Sequence, residues 1–145
     1  MEYKTVDELE RVGTRHENGP SALSRVERLE RWAELLERHP DRLLGSLDGT
    51  EYQAVSIRVA MRQDNSPISV AFEDPVLRTT GLNRDTYGEA KRFFSLSDRE
   101  LHSIVCGCHY GARMPAIWSA RSIRKILSGR WEAIFLWPPV WPFLV

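Results

Sequence analysis

Two cysteines in 145 residues exclude a disulfide framework. They are Cys106 and Cys108, a spacing at which a mutual disulfide would be strained. Thiols left this close point to a reducing compartment. Lysine is nearly as scarce, with 3 against 17 arginines. That bias reads first as the codon usage of a GC-rich, bacterial-like genome and second as a demand for bidentate donors. No run of about 18 apolar residues is present, so no membrane-spanning helix is expected. The N-terminus does not pass from basic to apolar, so no secretion signal is expected, and the location expected is the cytoplasm. Net charge is lacking too: 20 basic residues balance 20 acidic ones, which implies no general pull toward nucleic acid or acidic membranes. Nor is there a nucleophile–base pair, a pair of catalytic carboxylates, a Gly-rich phosphate loop or an aromatic-interleaved RNA stripe. The chain is therefore not expected to be an enzyme.

What is present fits one domain. A chain of this length buries roughly two-thirds of its unfolded surface, enough for a core without staples. Its charge is unevenly placed. Residues 1–75 carry 15 acidic and 10 basic side chains, whereas residues 76–145 carry 5 acidic and 10 basic. From Arg113 to Arg130 there are five basic residues and no acidic one.

Along the chain, helix signals dominate. Residues 1–20 are polar and read as an N-terminal arm, with a short amphipathic turn through Val6, Leu9 and Val12. Ser24 and Glu27 form a capping box. Val26, Leu29, Trp32, Ala33 and Leu36 follow as one apolar stripe, and Pro40 forces the stop. Glu27 with Arg31 and Glu34 with Arg38 have the spacing of favourable i, i+4 pairs. Residues 41–49 read as a connection. Thr50 and Gln53 predict a cap for a second helix with Tyr52, Val55 and Val59 on one face, although Val55, Ile57 and Val59 also alternate as a strand would. Asp64-Asn65 reads as a turn. Ser66-Pro67 and Asp74-Pro75 each have the cap-then-proline order of a helix start, predicting helices at roughly 67–73 and 75–80, the second ending at Gly81. An extended Ile68/Val70/Phe72 segment is the alternative. Asn83 is the expected cap of the next helix, with Tyr87, Ala90 and Phe94 facing one way. Ser97 and Glu100 form a second capping box, with Leu96 and Leu101 as its hydrophobic staple. Leu101, Ile104, Val105 and Cys108 supply that helix's stripe, and Gly107 and Gly111 end it. Met114-Pro115 opens the last helix, with Ile117, Ala120, Ile123 and Leu127 inward and Gly129 as its stop.

The fold class this predicts is all-α: a single small bundle of about five or six short-to-medium helices over residues 21–129, followed by an irregular apolar tail, 130–145.

Three groups of residues carry chemistry. His102, Cys106, Cys108 and His109 place four soft or borderline ligands in eight residues, which could meet a tetrahedral zinc, the one cofactor the sequence suggests, or serve as a redox or nucleophilic thiol site. The CxC spacing departs from the paired ligands of structural zinc sites, and Cys108 also suits a small core position. Arg113, Arg121, Arg124 and Lys125 form a basic face on the last helix, continued by Arg130. This face suits phosphates or an acidic protein surface, or it neutralises the acidic first helix of the same chain. From Trp131 to Val145 the tail holds Trp131, Trp137 and Trp141 with three prolines and a single charge, Glu132. The prolines exclude a continuous helix there. A tail of this composition either needs a cover, whether the domain itself, a partner groove or a membrane interface, or is an accident of where the reading frame ends.

Leu96-Ser97-x-Arg99-Glu100 resembles the opening of the LuxR-type helix-turn-helix, and the resemblance implies a DNA-binding unit. It covers about five residues. The family's two adjacent apolar positions then fall on Ser103 and Ile104, its glycine falls on Tyr110, and residues 115–128 read as one helix without the recognition-helix signature. A capping box with a staple accounts for the match. The expected role is a non-enzymatic interaction or regulatory protein whose partner protein meets the basic last helix or the apolar tail. Nucleic acid is the lesser expectation.

Overall fold

The computed structural model describes residues 23–107 and 113–129. The N-terminal arm, Cys108, His109, Gly111 and the tail with its tryptophans lie outside the described residues.

The first helix, α1 (Arg25–Glu37), begins where its capping box predicts: the Glu27 amide donates to Ser24 Oγ and the Ser24 amide to Glu27 Oε1. Leu29, Trp32, Ala33 and Leu36 are buried, but Val26 is about half exposed, so the stripe starts one turn later than its spacing suggests. Neither i, i+4 ion pair forms among the described residues. Glu27 is used at the cap, and Arg31 is drawn instead to Asp74, at 2.7 and 2.9 Å. A bidentate pair with a buried carboxylate outweighs an exposed helix-surface pair.

Two short helices follow the Pro and cap signals closely, α3 (Pro67–Glu73), capped by Ser66, and α4 (Pro75–Thr80), capped by Asp74 and ending at Gly81; before them comes the single turn α2 (Val55–Arg58). The α2 region departs from expectation. Thr50 does not cap it. Gly49, at φ 79°, leads instead into a 3-10 turn at Thr50–Tyr52, and α2 starts after Ala54 with no side-chain cap. The strand alternative fails as well.

Next comes α5 (Tyr87–Phe94), with Thr86 as its cap rather than Asn83. The Asn83 amide is taken by Glu89 Oε2 at 2.7 Å, which leaves Asn83 outside the helix. Tyr87, Ala90 and Phe94 are buried as expected, and Phe93 with them. α6 (Asp98–Val105) has the capping box at Ser97 and Glu100, and Leu96, Leu101, Ile104 and Val105 are buried. Cys106 closes it in an extended conformation. α7 (Ala116–Ser128) ends at Gly129 as expected and buries Ala116, Ser119, Ala120, Ile123 and Ile126, with Ile117 and Leu127 partly covered.

Two strands were not anticipated. β1 (Leu43–Gly45) pairs antiparallel with β2 (Arg113–Pro115), with Leu44 opposite Met114. Three residues are too few to show a period of two. Met114 and Pro115 thus belong to a strand, and Pro115 precedes the last helix rather than opening it. The outer edge of β1 is closed by Asn65, whose side-chain amide donates to the Leu43 carbonyl and whose own carbonyl accepts from the Gly45 amide.

The result is a mostly helical domain around one core, with seven helices and a two-stranded sheet among the described residues. No described helix is long and apolar enough to cross a membrane. α1 packs most extensively on α7. Trp32 sits at the centre, its ring stacked 4.3 Å from Phe94 and its indole N–H donating to the Pro67 carbonyl at 2.9 Å. In the chain, β2 stands between α6, which begins at the Leu96–Glu100 resemblance, and α7.

The segment after α2 is tied to α5 by its backbone. The Tyr87 amide donates to the Met61 carbonyl at 2.8 Å and the Gly88 amide to the Val59 carbonyl at 2.9 Å. These are the first two donors of α5, which have no partner within the helix. A Cβ on Gly88 would lie 2.7 Å from Val59 Cβ and 2.9 Å from its carbonyl oxygen, so only glycine admits this approach. Gly88→Ala is expected to cost about 1–3 kcal/mol by overpacking. Urea unfolding measures that loss, and amide hydrogen exchange is expected to show it concentrated in residues 54–61.

Candidate binding cleft

The segment 50–59 and the starts of α5 and α6 enclose a cleft of about 360 Å³, lined by Thr50, Glu51, Arg58, Tyr87, Asp98, Arg99 and His102. That volume lies in the range of small-ligand sites. Its frame is polar. Arg58, at the end of α2, donates to the Thr50 carbonyl (3.0 Å), the Gln53 carbonyl (3.0 Å) and Asp98 Oδ2 (3.1 Å). One planar guanidinium therefore fixes the bend between the 3-10 turn and α2, and anchors both to α6. Asp98 also accepts from Tyr87 Oη at 2.8 Å and from Lys91 Nζ at 3.2 Å. The Tyr87 hydrogen bond, with Lys91 and Arg58, holds the Asp98 carboxyl below the usual carboxylate range. Burial, and then Asp98 itself, push the Tyr87 hydroxyl well above its ordinary value.

His102 stands one turn after Arg99 on α6 and lines the cleft with it. Its Nδ1 lies 3.4 Å from Thr50 Oγ1 and 3.5 Å from Glu51 Oε1, the outer limit of hydrogen-bond distance. Both neighbours are on the same ring nitrogen. A nucleophile–base–orienter relay needs one on each, so Thr50, His102 and Glu51 do not form one.

Of the four candidate zinc ligands, two are described. His102 faces Thr50 and Glu51, while the Cys106 thiol donates to Asp48 Oδ1 at 3.4 Å. Asp48 also accepts from the Gly107 amide at 3.2 Å and from the Ser46 hydroxyl. Among the described residues, no three His, Cys, Asp or Glu side chains gather as a metal site. Cys108 and His109 lie outside them.

The basic face divides. Arg124 forms a bidentate pair with Glu37 of α1, at 3.0 and 2.8 Å, so that part of the face neutralises the first helix. Arg121 lies over the ring of the half-exposed Trp118, 4.7 Å from its centroid. Arg121, Arg124, Lys125 and Ser128 border a shallow groove of about 400 Å³, and Arg113 stands apart on β2 opposite Gly45. Trp131, Trp137 and Trp141 lie outside the described residues.

Sequence reasoning reached the cleft through His102 alone. Arg58 and Asp98 belong to no local pattern and Tyr87 reads only as part of an apolar face, because the contacts joining the three span 40 and 11 positions. A comparison of the chain with protein-family models, with curated proteins and with solved structures finds no match.

Tyr87→Phe keeps the ring and removes the donor to Asp98. It is expected to cost about 0.5–1.5 kcal/mol at pH 7. The Asp98 contribution is present above the unfolded carboxylate value near 4 and is lost as pH falls through its lowered folded value. The gap between variant and wild type is therefore expected to narrow below about pH 4. At the alkaline end, wild-type stability falls as pH rises past about 10, where the unfolded chain's tyrosine ionises and Tyr87 does not. The variant lacks this component, and denaturant midpoints across pH measure both.

Proposed function

We propose that this chain is a non-enzymatic interaction protein that receives a partner on the 52–59 segment beside the cleft. The observation that carries the reading is the exposure of Tyr52 (83%), Val55 (66%), Ile57 (54%) and Val59 (43%) on eight consecutive residues of a domain whose core is otherwise filled. Scattered exposed apolar side chains are ordinary, but a concentration of them on one element marks an interaction surface. The segment is also tied down by hydrogen bonds at both ends. Arg58 holds it from within, and the α5 amides hold its end. A surface already fixed in shape loses little conformational freedom on binding. A reducing, cytoplasmic setting goes with this reading, from the close pair of cysteines.

Position 57 tests it. With a photo-crosslinking side chain in place of Ile57, expressed in cells of the source organism, a discrete adduct is expected that competing wild-type protein suppresses. The same side chain at exposed Glu30 on α1 is expected to give none. Equal adducts from both positions, or none from position 57, would sink the reading.

A second reading, contact with phosphates by the basic face, is favoured by the exposed stripe of Trp118, Arg121 and Lys125 on α7. Its strength is limited because Glu37 occupies Arg124. Titration of a DNA duplex across salt is expected to give a log–log slope of magnitude no more than about 2. A slope several times steeper would favour the nucleic-acid reading over the partner-protein one.

A further inference from the structure

We propose that residues 50–58 form a strap along the cleft that opens as one unit while the rest of the domain stays folded, with Arg58 as its latch on Asp98. The strap is the segment that the partner reading uses, but the inference stands on how that segment is attached and not on what binds it.

Little within the strap keeps it in place. From Glu51 to Ile57 every residue is exposed, and Thr50 is the one buried side chain of the segment. α2 is a single turn with no side-chain cap, and the 3-10 turn before it is three residues long. Turns this short do not persist alone, because each fixes several backbone angles for very few hydrogen bonds. The amides of Tyr52, Gln53, Arg58 and Val59 donate to the carbonyls of Gly49, Thr50, Ala54 and Val55. These bonds shape the strap without tying it to the domain.

Arg58 supplies the tie. Its Nε donates to the Thr50 carbonyl and its Nη2 to the Gln53 carbonyl, both at 3.0 Å, while Nη1 reaches Asp98 Oδ2 at 3.1 Å. The first two bonds join the 3-10 turn to α2, and the third joins both to the start of α6. Asp98 has its own support, since Tyr87 Oη donates to it at 2.8 Å and Lys91 Nζ lies 3.2 Å away. The receiving half of the latch therefore stays fixed when the strap leaves. A further attachment, from Thr50 Oγ1 and Glu51 Oε1 to His102 Nδ1, stands at the outer limit of hydrogen-bond distance, 3.4 and 3.5 Å. The ends of the unit are defined by Gly49, at φ 79°, and by the α5 amides that hold Val59 and Met61. A segment with few buried apolar contacts and exposed backbone bonds belongs to the parts of a protein that open before it unfolds. The strap gives Thr50, Glu51 and Arg58 to the cleft wall and Tyr52, Val55 and Ile57 to the outer surface, so one opening removes both. Whatever stabilises one of these faces stabilises the other.

The test is native-state amide hydrogen exchange on the full-length protein across low urea concentrations. The amides of Gln53, Arg58 and Val59 are expected to exchange together, about a hundredfold or more faster than those of Leu29 to Leu36 in α1. Their rates are expected to depend only weakly on urea, because the opening frees little surface. Arg58→Ala is expected to speed them about tenfold more, with the amide chemical shifts of α1 and α7 retained. Asp98→Asn is expected to speed them about three- to fivefold, and to add nothing once Arg58→Ala is present. Lys91→Ala also removes a cation from Asp98 but leaves the strap's tie in place, and is expected to change the rates less than about twofold. Strap amides with the rates and urea dependence of α1 overturn the proposal. So do rates unmoved by Arg58→Ala, an Asp98→Asn effect undiminished in the Arg58→Ala background, or a Lys91→Ala effect as large as that of Arg58→Ala. An adduct at position 57 with strap amides exchanging alongside α1 keeps the partner reading and overturns the latch. The expected exchange pattern without an adduct supports the latch and overturns the partner reading alone.

Discussion

The structure depends on the burial of Trp32. Its side chain is fully enclosed, so its one polar atom needs a partner inside the protein. The Pro67 carbonyl supplies it, at the first residue of α3, where an indole donor brings α3 against α1. The ring face stacks on Phe94, which in turn meets the edge of Phe93 at 4.9 Å. One side chain therefore joins α1, α3 and α5. Arg28, one turn earlier, continues the line by lying over Phe93 and donating to its carbonyl. The position of α5 follows from these contacts. Because α5 holds Val59 and Met61 through its first amides, the placement of the apolar segment and the cleft follows as well.

How far the fold can be read from the sequence depends on how local its causes are. Ser24, Ser66, Asp74 and Ser97 each cap a helix three residues from their partners, and all four were legible. Asn83 failed because a competitor of similar chemistry, Thr86, stands three residues later and Glu89 draws the Asn83 amide away. Arg31 failed as a helix-surface ion pair because its partner lies 43 positions on. The strands were invisible for the same reason: Leu44 and Met114 pair across the whole domain. Val55, Ile57 and Val59 matched both a helix face and a strand, and what forms is a single helical turn, Val55–Arg58, that buries none of them. Their shape is set by Arg58 and by α5, and their apolar side chains face solvent.

The candidate site follows that rule more strictly. His102 was legible as a chemical residue, yet its surroundings were not: Thr50 and Glu51 come from a turn about fifty residues earlier. The basic face was legible as a face, and the division within it was not. Arg124 belongs to α1 through Glu37, while Arg121 and Lys125 remain on the outer stripe. Counting charges along a helix reports where they are, and only the packing of a second helix decides which of them solvent or a partner meets.

The end of α6 carries one more consequence. Its last carbonyls are met from three directions: Ser122 Oγ donates to Ser103, Ser119 Oγ to Ile104, and the Leu47 amide to Val105, at 2.8, 2.7 and 2.8 Å. None of these donors is local in sequence. On a ribosome, where the chain emerges from its N-terminal end, α6 is complete in length well before α7 exists. Its final turn must remain open to water until Ser119 and Ser122 arrive. The last turn of α6, just beyond His102, is therefore completed by α7 and by Leu47 rather than by residues next to it in the chain.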